Sequence, residues 1–102
     1  MTQSNITLDE YKTCIQSLMN VALSQDNYAS EAAAEVILSL NNAPHWKLDL
    51  GKLHHLDDDK FNAALQCILG KRKFIIEPDQ IVKNSLAKFV KIKTQYKHLK
   101  FI

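Results

Sequence analysis

Five residues with chemical potential stand within one short stretch, His54, His55, Asp57, Asp58 and Asp59, with His45 a few residues upstream. Imidazoles and carboxylates are the common ligands of zinc and other divalent metals. The spacing argues against a metal site here. A zinc helix of the HExxH type sets two histidines on one face at i and i+4, whereas His54 and His55 are adjacent and point apart. The DxDxDG pattern of calcium loops is absent, and three aspartates in a row are what a helix start requires: one cap and two first-turn charges. Cys14 and Cys67 would need a base beside them to act as nucleophiles. No motif flanks either thiol, and both fall in helical patterns where cysteine serves as a small apolar filler. There is no glycine-rich phosphate loop and no Ser- or Lys-based catalytic signature. The expectation is a non-enzymatic protein with no metal and no cofactor.

The basic side chains carry the stronger signal. Residues 71–102 hold nine of the thirteen basic residues and two of the eleven acidic ones, a net of +7 against −5 for the first seventy. A formal net charge of +2 therefore hides a strongly polarised chain. Lys83, Lys88, Lys91, Lys93, Lys97 and Lys100, interleaved with Tyr96 and Phe101, could lie against phosphates with aromatics free to stack on bases. Arg72 is the only arginine, which disfavours bidentate reading of base edges, and no helix-turn-helix is apparent beside the basic stretch. The competing reading is a lysine-coated solvent face. Trp46, after Pro44 and His45, is either a binding anchor on an irregular segment or a plug at the end of a bundle, and the plug is favoured. The candidate interaction surface thus comprises Trp46, Lys83, Lys88, Lys91, Lys93, Tyr96, Lys97, Lys100 and Phe101.

These side chains need helices to place them. With 102 residues, 46% apolar and 24% charged, and two glycines and two prolines, the chain reads as one helix-rich domain. No apolar run approaches the roughly 20 residues of a membrane span, and Met1–Asn5 lacks a signal-peptide pattern. Two distant cysteines form no disulfide framework, so a cytoplasmic protein with reduced thiols is expected.

Thr7-Leu8-Asp9-Glu10 is a capping box opening a first helix to about Ser24, with Ile6 and Tyr11 as a hydrophobic staple and Leu8, Tyr11, Ile15, Leu18 and Ala22 facing inward. A second helix runs from about Tyr28 to Asn41, slim at Ala32, Ala33 and Ala34, and ends before Pro44. Residues 45–56 read as an ordered connector pinned by Trp46, Leu48, Leu50, Leu53 and Leu56, with a short turn begun at Asp49. Asp57 caps a third helix whose Phe61, Ala64, Leu65 and Ile68 face inward and which Gly70 closes at C′. Phe74-Ile75-Ile76 is expected as a buried connector. Pro78 starts the last helix, with Val82, Leu86, Phe89, Ile92, Tyr96 and Leu99 as its stripe. That stripe averages about 3.4 residues per step, short of 3.6. The helix must therefore wrap around a neighbour or break, and Lys93 is the expected break.

Ala33–Asn41, Leu48-Asp49-Leu50, Leu53, Leu56-Asp57, Phe61 and Leu65 resemble a family of small uncharacterised bacterial proteins, a domain of unknown function of about this length. The resemblance implies a bacterial cytoplasmic protein carried by a mobile element, and it implies no activity or site residue. The fold expected is an all-α compact bundle of about four main helices, with the ordered connector between helices 2 and 3. Residues 1–6 are expected to be flexible and 7–102 to form the single domain. The expected function is protein interaction, with another protein or as a homodimer through the last helix. The alternative is an accessory nucleic-acid binder, or a phage- or plasmid-type inhibitor of a host nucleic-acid-handling complex, acting through the basic C-terminal helix.

Overall fold

A computed structural model of the chain describes residues 6–24, 27–41 and 46–99. Among these, the regular elements are all helices: α1 (Leu8–Ala22), α2 (Asn27–Asn41), a 3-10 turn (Leu50–His55), α3 (Asp58–Phe74), a single turn α4 (Pro78–Ile81), α5 (Leu86–Gln95) and a closing 3-10 turn (Lys97–Leu99). The protein is an all-α bundle with the connector in its expected place between α2 and α3.

The capping box forms as the sequence dictates. Glu10 N–H donates to Thr7 Oγ1 at 3.1 Å, and Thr7 N–H donates to Glu10 Oε1 at 2.8 Å. Ile6, counted with the flexible N-terminus on sequence grounds, is buried, and its carbonyl accepts from Lys73 Nζ at 2.8 Å. The inward face of α1 is Tyr11, Ile15, Leu18, Met19 and Ala22, whereas Leu8 stays exposed.

Helix α2 is the centre of the bundle, and every residue from 32 to 38 is buried. A helix enclosed on all sides must be apolar all round. Its alanines let α1, α3, α4 and the connector close in together. The exception is Glu35, 5% exposed, whose carboxylate accepts from Asp49 N–H at 2.8 Å and from Lys52 Nζ at 2.5 Å. Lys52 also reaches Glu31 at 2.5 Å. The two carboxylates, one turn apart on α2, fasten the connector through Lys52, and their hydrogen bonds raise the Lys52 pKa. Trp46, Leu53 and Leu56 are buried as expected, while Leu50 is exposed.

Three expectations for α3 and the junction after it are corrected. Gly70 does not end the third helix, which runs on to Phe74. Its missing side chain serves packing instead, because a Cβ at position 70 would fall within 2.5 Å of Tyr11 Cγ. Ile75 takes the left-handed cap, at φ 56°, and is 79% exposed rather than part of a buried connector. The inward face of α3 is the small set Ala64, Cys67 and Gly70, which puts Phe61 and Leu65 on the exposed side. At Gly70 this face has no room for a larger residue, because Tyr11 of α1 lies against it.

The last helix does break, but early. After the single turn Pro78–Ile81 the chain turns through Val82, Lys83 and Asn84 (φ 60°) before α5 starts at Leu86. The stripe is therefore split. Val82 is buried in the turn, Leu86 is exposed, and Phe89, Ile92 and Tyr96 are buried on a newly directed helix.

Candidate interaction surface

Helix α5 is positioned at its two ends. At its start, Ser85 is buried and its Oγ donates to Asp79 O at 3.5 Å. Asn41 holds Asp79 in turn, accepting from Asp79 N–H at 2.8 Å. At its other end, Tyr96 Oη donates to Ala22 O at 3.0 Å, one of the carbonyls that the end of α1 leaves without an intrahelical partner. Val21 O nearby is satisfied by Ser30 Oγ at 2.8 Å and Ser24 Oγ at 2.6 Å. Burial pushes the Tyr96 phenol pKa up, so it stays a neutral donor. Tyr96 is thus a packing and capping residue and leaves the exposed candidate set, as does buried Trp46.

Phe89 and Ile92 anchor the inner side of α5. Its outer side presents Leu86, 71% exposed, and Val90, 53% exposed, one turn apart at i and i+4. Lys88 and Lys91, at i and i+3, form a second row, and Lys83 and Lys97 stand at the two ends; all four are exposed. No carboxylate pairs with any of these four lysines among the described residues. The sequence holds no acidic residue after Asp79. Lys93 is half-buried beside the anchored face. Lys100 and Phe101 lie outside the described residues, as does His45.

Leu86 and Val90 are the members of this surface that periodicity assigns wrongly or passes over. The signal lay in Asn84-Ser85, a pair that suits a left-handed turn and a helix start and so separates Leu86 from the stripe of Val82.

No group of three or more potential metal ligands occurs among the described residues. His54 Nδ1 contacts Gly51 O, and His55 stacks on Tyr28 with ring centroids 4.9 Å apart. Asp57 caps α3 by accepting from Lys60 N–H at 2.9 Å, with Asp58 and Asp59 in the first turn. An open groove beside this ring stack is lined by Ser17, Asn20, Ser24, His55 and Lys60, among others. Ser24 Oγ and Ser30 Oγ lie 2.9 Å apart and both within reach of Val21 O, so their protons serve this cluster at the end of α1. Burial raises the pKa of both Cys14 and Cys67, the opposite of what an activated thiol needs. No described helix is long and apolar enough to cross a membrane.

Comparison with curated proteins and with solved structures finds no match. Residues 12–97 match the family described as "Family of unknown function (DUF7673)", a span that includes α2, α3, α5 and both cysteines. The chain belongs to this family of unknown function.

Proposed function

We propose that this protein is a small, non-enzymatic interaction module that binds an acidic partner protein through the outer side of α5. The observation that carries this reading is the pairing of exposed Leu86 and Val90 with Lys83, Lys88, Lys91 and Lys97, none of which has an acidic partner of its own. Apolar side chains at i and i+4 give a helix-in-groove contact its anchors, and the lysine row selects an acidic rim by charge. In this reading the module works in the bacterial cytoplasm, in the mobile-element setting implied by the sequence resemblance.

Affinity purification from native cells tests it, using wild type, Leu86→Ser/Val90→Ser and Lys88→Glu/Lys91→Glu. An acidic protein retained by the wild type and lost from both variants supports the reading. Retention unchanged by either variant contradicts it. Light scattering separates the homodimer form of the idea, in which the wild type is dimeric and Leu86→Ser/Val90→Ser is monomeric.

The unpaired lysines also favour a second reading, contact with nucleic acid. Four phosphate contacts on duplex DNA give a log–log salt slope of roughly −3.6. Undetectable binding to generic duplex or single strands at 50 mM salt rules that reading out.

A further inference from the structure

Helices α1 and α3 run antiparallel in a fixed register. Near one end, Lys73 Nζ donates to Ile6 O at 2.8 Å. Further along, Gly70 lies against Tyr11, whose ring stacks on Phe74 with centroids 6.0 Å apart. Towards the other end, Val21 and Lys60 line the same groove. Between these points the register sets Cys14, three residues after Tyr11, beside Cys67, three residues before Gly70. Cys14 also shares an open groove of about 440 Å³ with Gln66, the neighbour of Cys67. Helix axes about 8–10 Å apart, less two backbone radii of about 2.3 Å each, leave facing Cα atoms roughly 3–6 Å apart. A disulfide spans up to about 7 Å.

We propose that Cys14 and Cys67 form a reversible modification site, oxidised to an α1–α3 disulfide by cationic low-molecular-weight disulfides that enter through the groove at Cys14. Cys67 is buried and Cys14 is half-buried, so the outer thiol meets the reagent and the inner one resolves the adduct. The Cys14 thiol loses its proton and attacks one sulfur of the small disulfide, breaking its S–S bond and expelling one thiolate. The Cys67 thiol then loses its proton, attacks Cys14 Sγ, expels the second thiolate and leaves the Sγ–Sγ bond. The protein gives up two protons and two electrons, and the reagent leaves as two thiols.

Asp9 and Glu10 line the same groove. Their carboxylates favour a positively charged reagent over an anionic one. Burial raises both thiol pKa values, Glu10 adds to that of Cys14, and Cys14 adds to that of Cys67. The exchange is therefore slow compared with that of a low-pKa sensor thiol, and the cross-link acts as a lock on the closed pair of helices.

The test treats the native full-length protein with cystamine or with glutathione disulfide, followed by alkylation, intact mass and peptide mapping. The expected result is one intramolecular link between Cys14 and Cys67, formed several-fold faster with cystamine, with a higher Tm. Cys14→Ser, a change at a half-buried position that spares the core, abolishes the link. A product arrested as the Cys14 mixed disulfide, a disulfide-linked dimer, or a link that forms only in urea overturns the pairing. Equal rates with the two reagents overturn the groove route.

Discussion

The ring of Tyr11 occupies the space that a side chain at position 70 would fill, so α1 and α3 close on each other at Gly70. The same tyrosine donates from Oη to Ile76 O at 2.7 Å, tying the start of α1 to the junction that follows α3. One aromatic residue thereby sets both the spacing and the register of the two helices on which the bundle is built.

Gly70→Ala pits two effects against each other. Alanine gains about 1 kcal/mol of helix propensity over glycine, but overpacking at a rigid contact costs about 1–3 kcal/mol. Because the obstructing atoms include the ring and Cβ of a buried tyrosine, the packing cost wins. Urea denaturation should show a net loss of up to about 2 kcal/mol. Tyr11→Phe, which removes only the bond to Ile76 O, should lose about 1 kcal/mol.

Ile75 is a β-branched residue in the left-handed region with most of its side chain in water. Such a conformation costs roughly 1–2 kcal/mol for an ordinary L-residue, and little burial is lost on removing the side chain. Ile75→Gly should therefore raise stability by up to about 1 kcal/mol. A lower urea midpoint for the variant contradicts this.

The Lys52 pair with Glu31 and Glu35 has a defined pH signature. The folded-state pKa of Lys52 is raised, so its contribution is fully present below the unfolded value of about 10.4 and is lost as pH rises through the folded value. At pH 7, Lys52→Met should cost about 1–2 kcal/mol, because it strips buried Glu35 of a charged partner. The difference between wild type and variant should stay constant from pH 7 to about 9.5 and shrink above about 10.4. A gap that widens at high pH contradicts the assignment.

Leu86 and Val90 should be dispensable for folding. Leu86→Ser or Val90→Ser should change stability by no more than about 0.5 kcal/mol, while Phe89→Ala, one position from Val90, should cost about 3–5 kcal/mol. Thermal melts of the three variants check this.

The parts of the fold legible in the sequence are those encoded locally. The Thr7 capping box, the Asp57 cap and the Asp49 turn of the connector each depend on side chains reaching a few residues along their own backbone. The parts that were not legible depend on distant partners. Gly70 looks like a helix terminator until Tyr11, far away in sequence, is placed against it. Phe61 and Leu65 look like core residues until α3 is seen to turn Ala64, Cys67 and Gly70 inward instead. Glu35 sits in an apolar run with no hint that Asp49 and Lys52 will meet it. For the proposed interaction surface, the lysines were legible from charge alone, but the exposure of Leu86 followed only from the break at Asn84, which takes it out of the stripe.

The most direct test of the α5 surface is photo-crosslinking in native cells from a probe at position 90, compared with a probe at Asn62 on the outer side of α3. A discrete adduct to one acidic protein from position 90, absent from position 62 and abolished by Lys88→Glu/Lys91→Glu, is the predicted result. No adduct from position 90, or equal adducts from both positions that ignore the lysine charges, would contradict it.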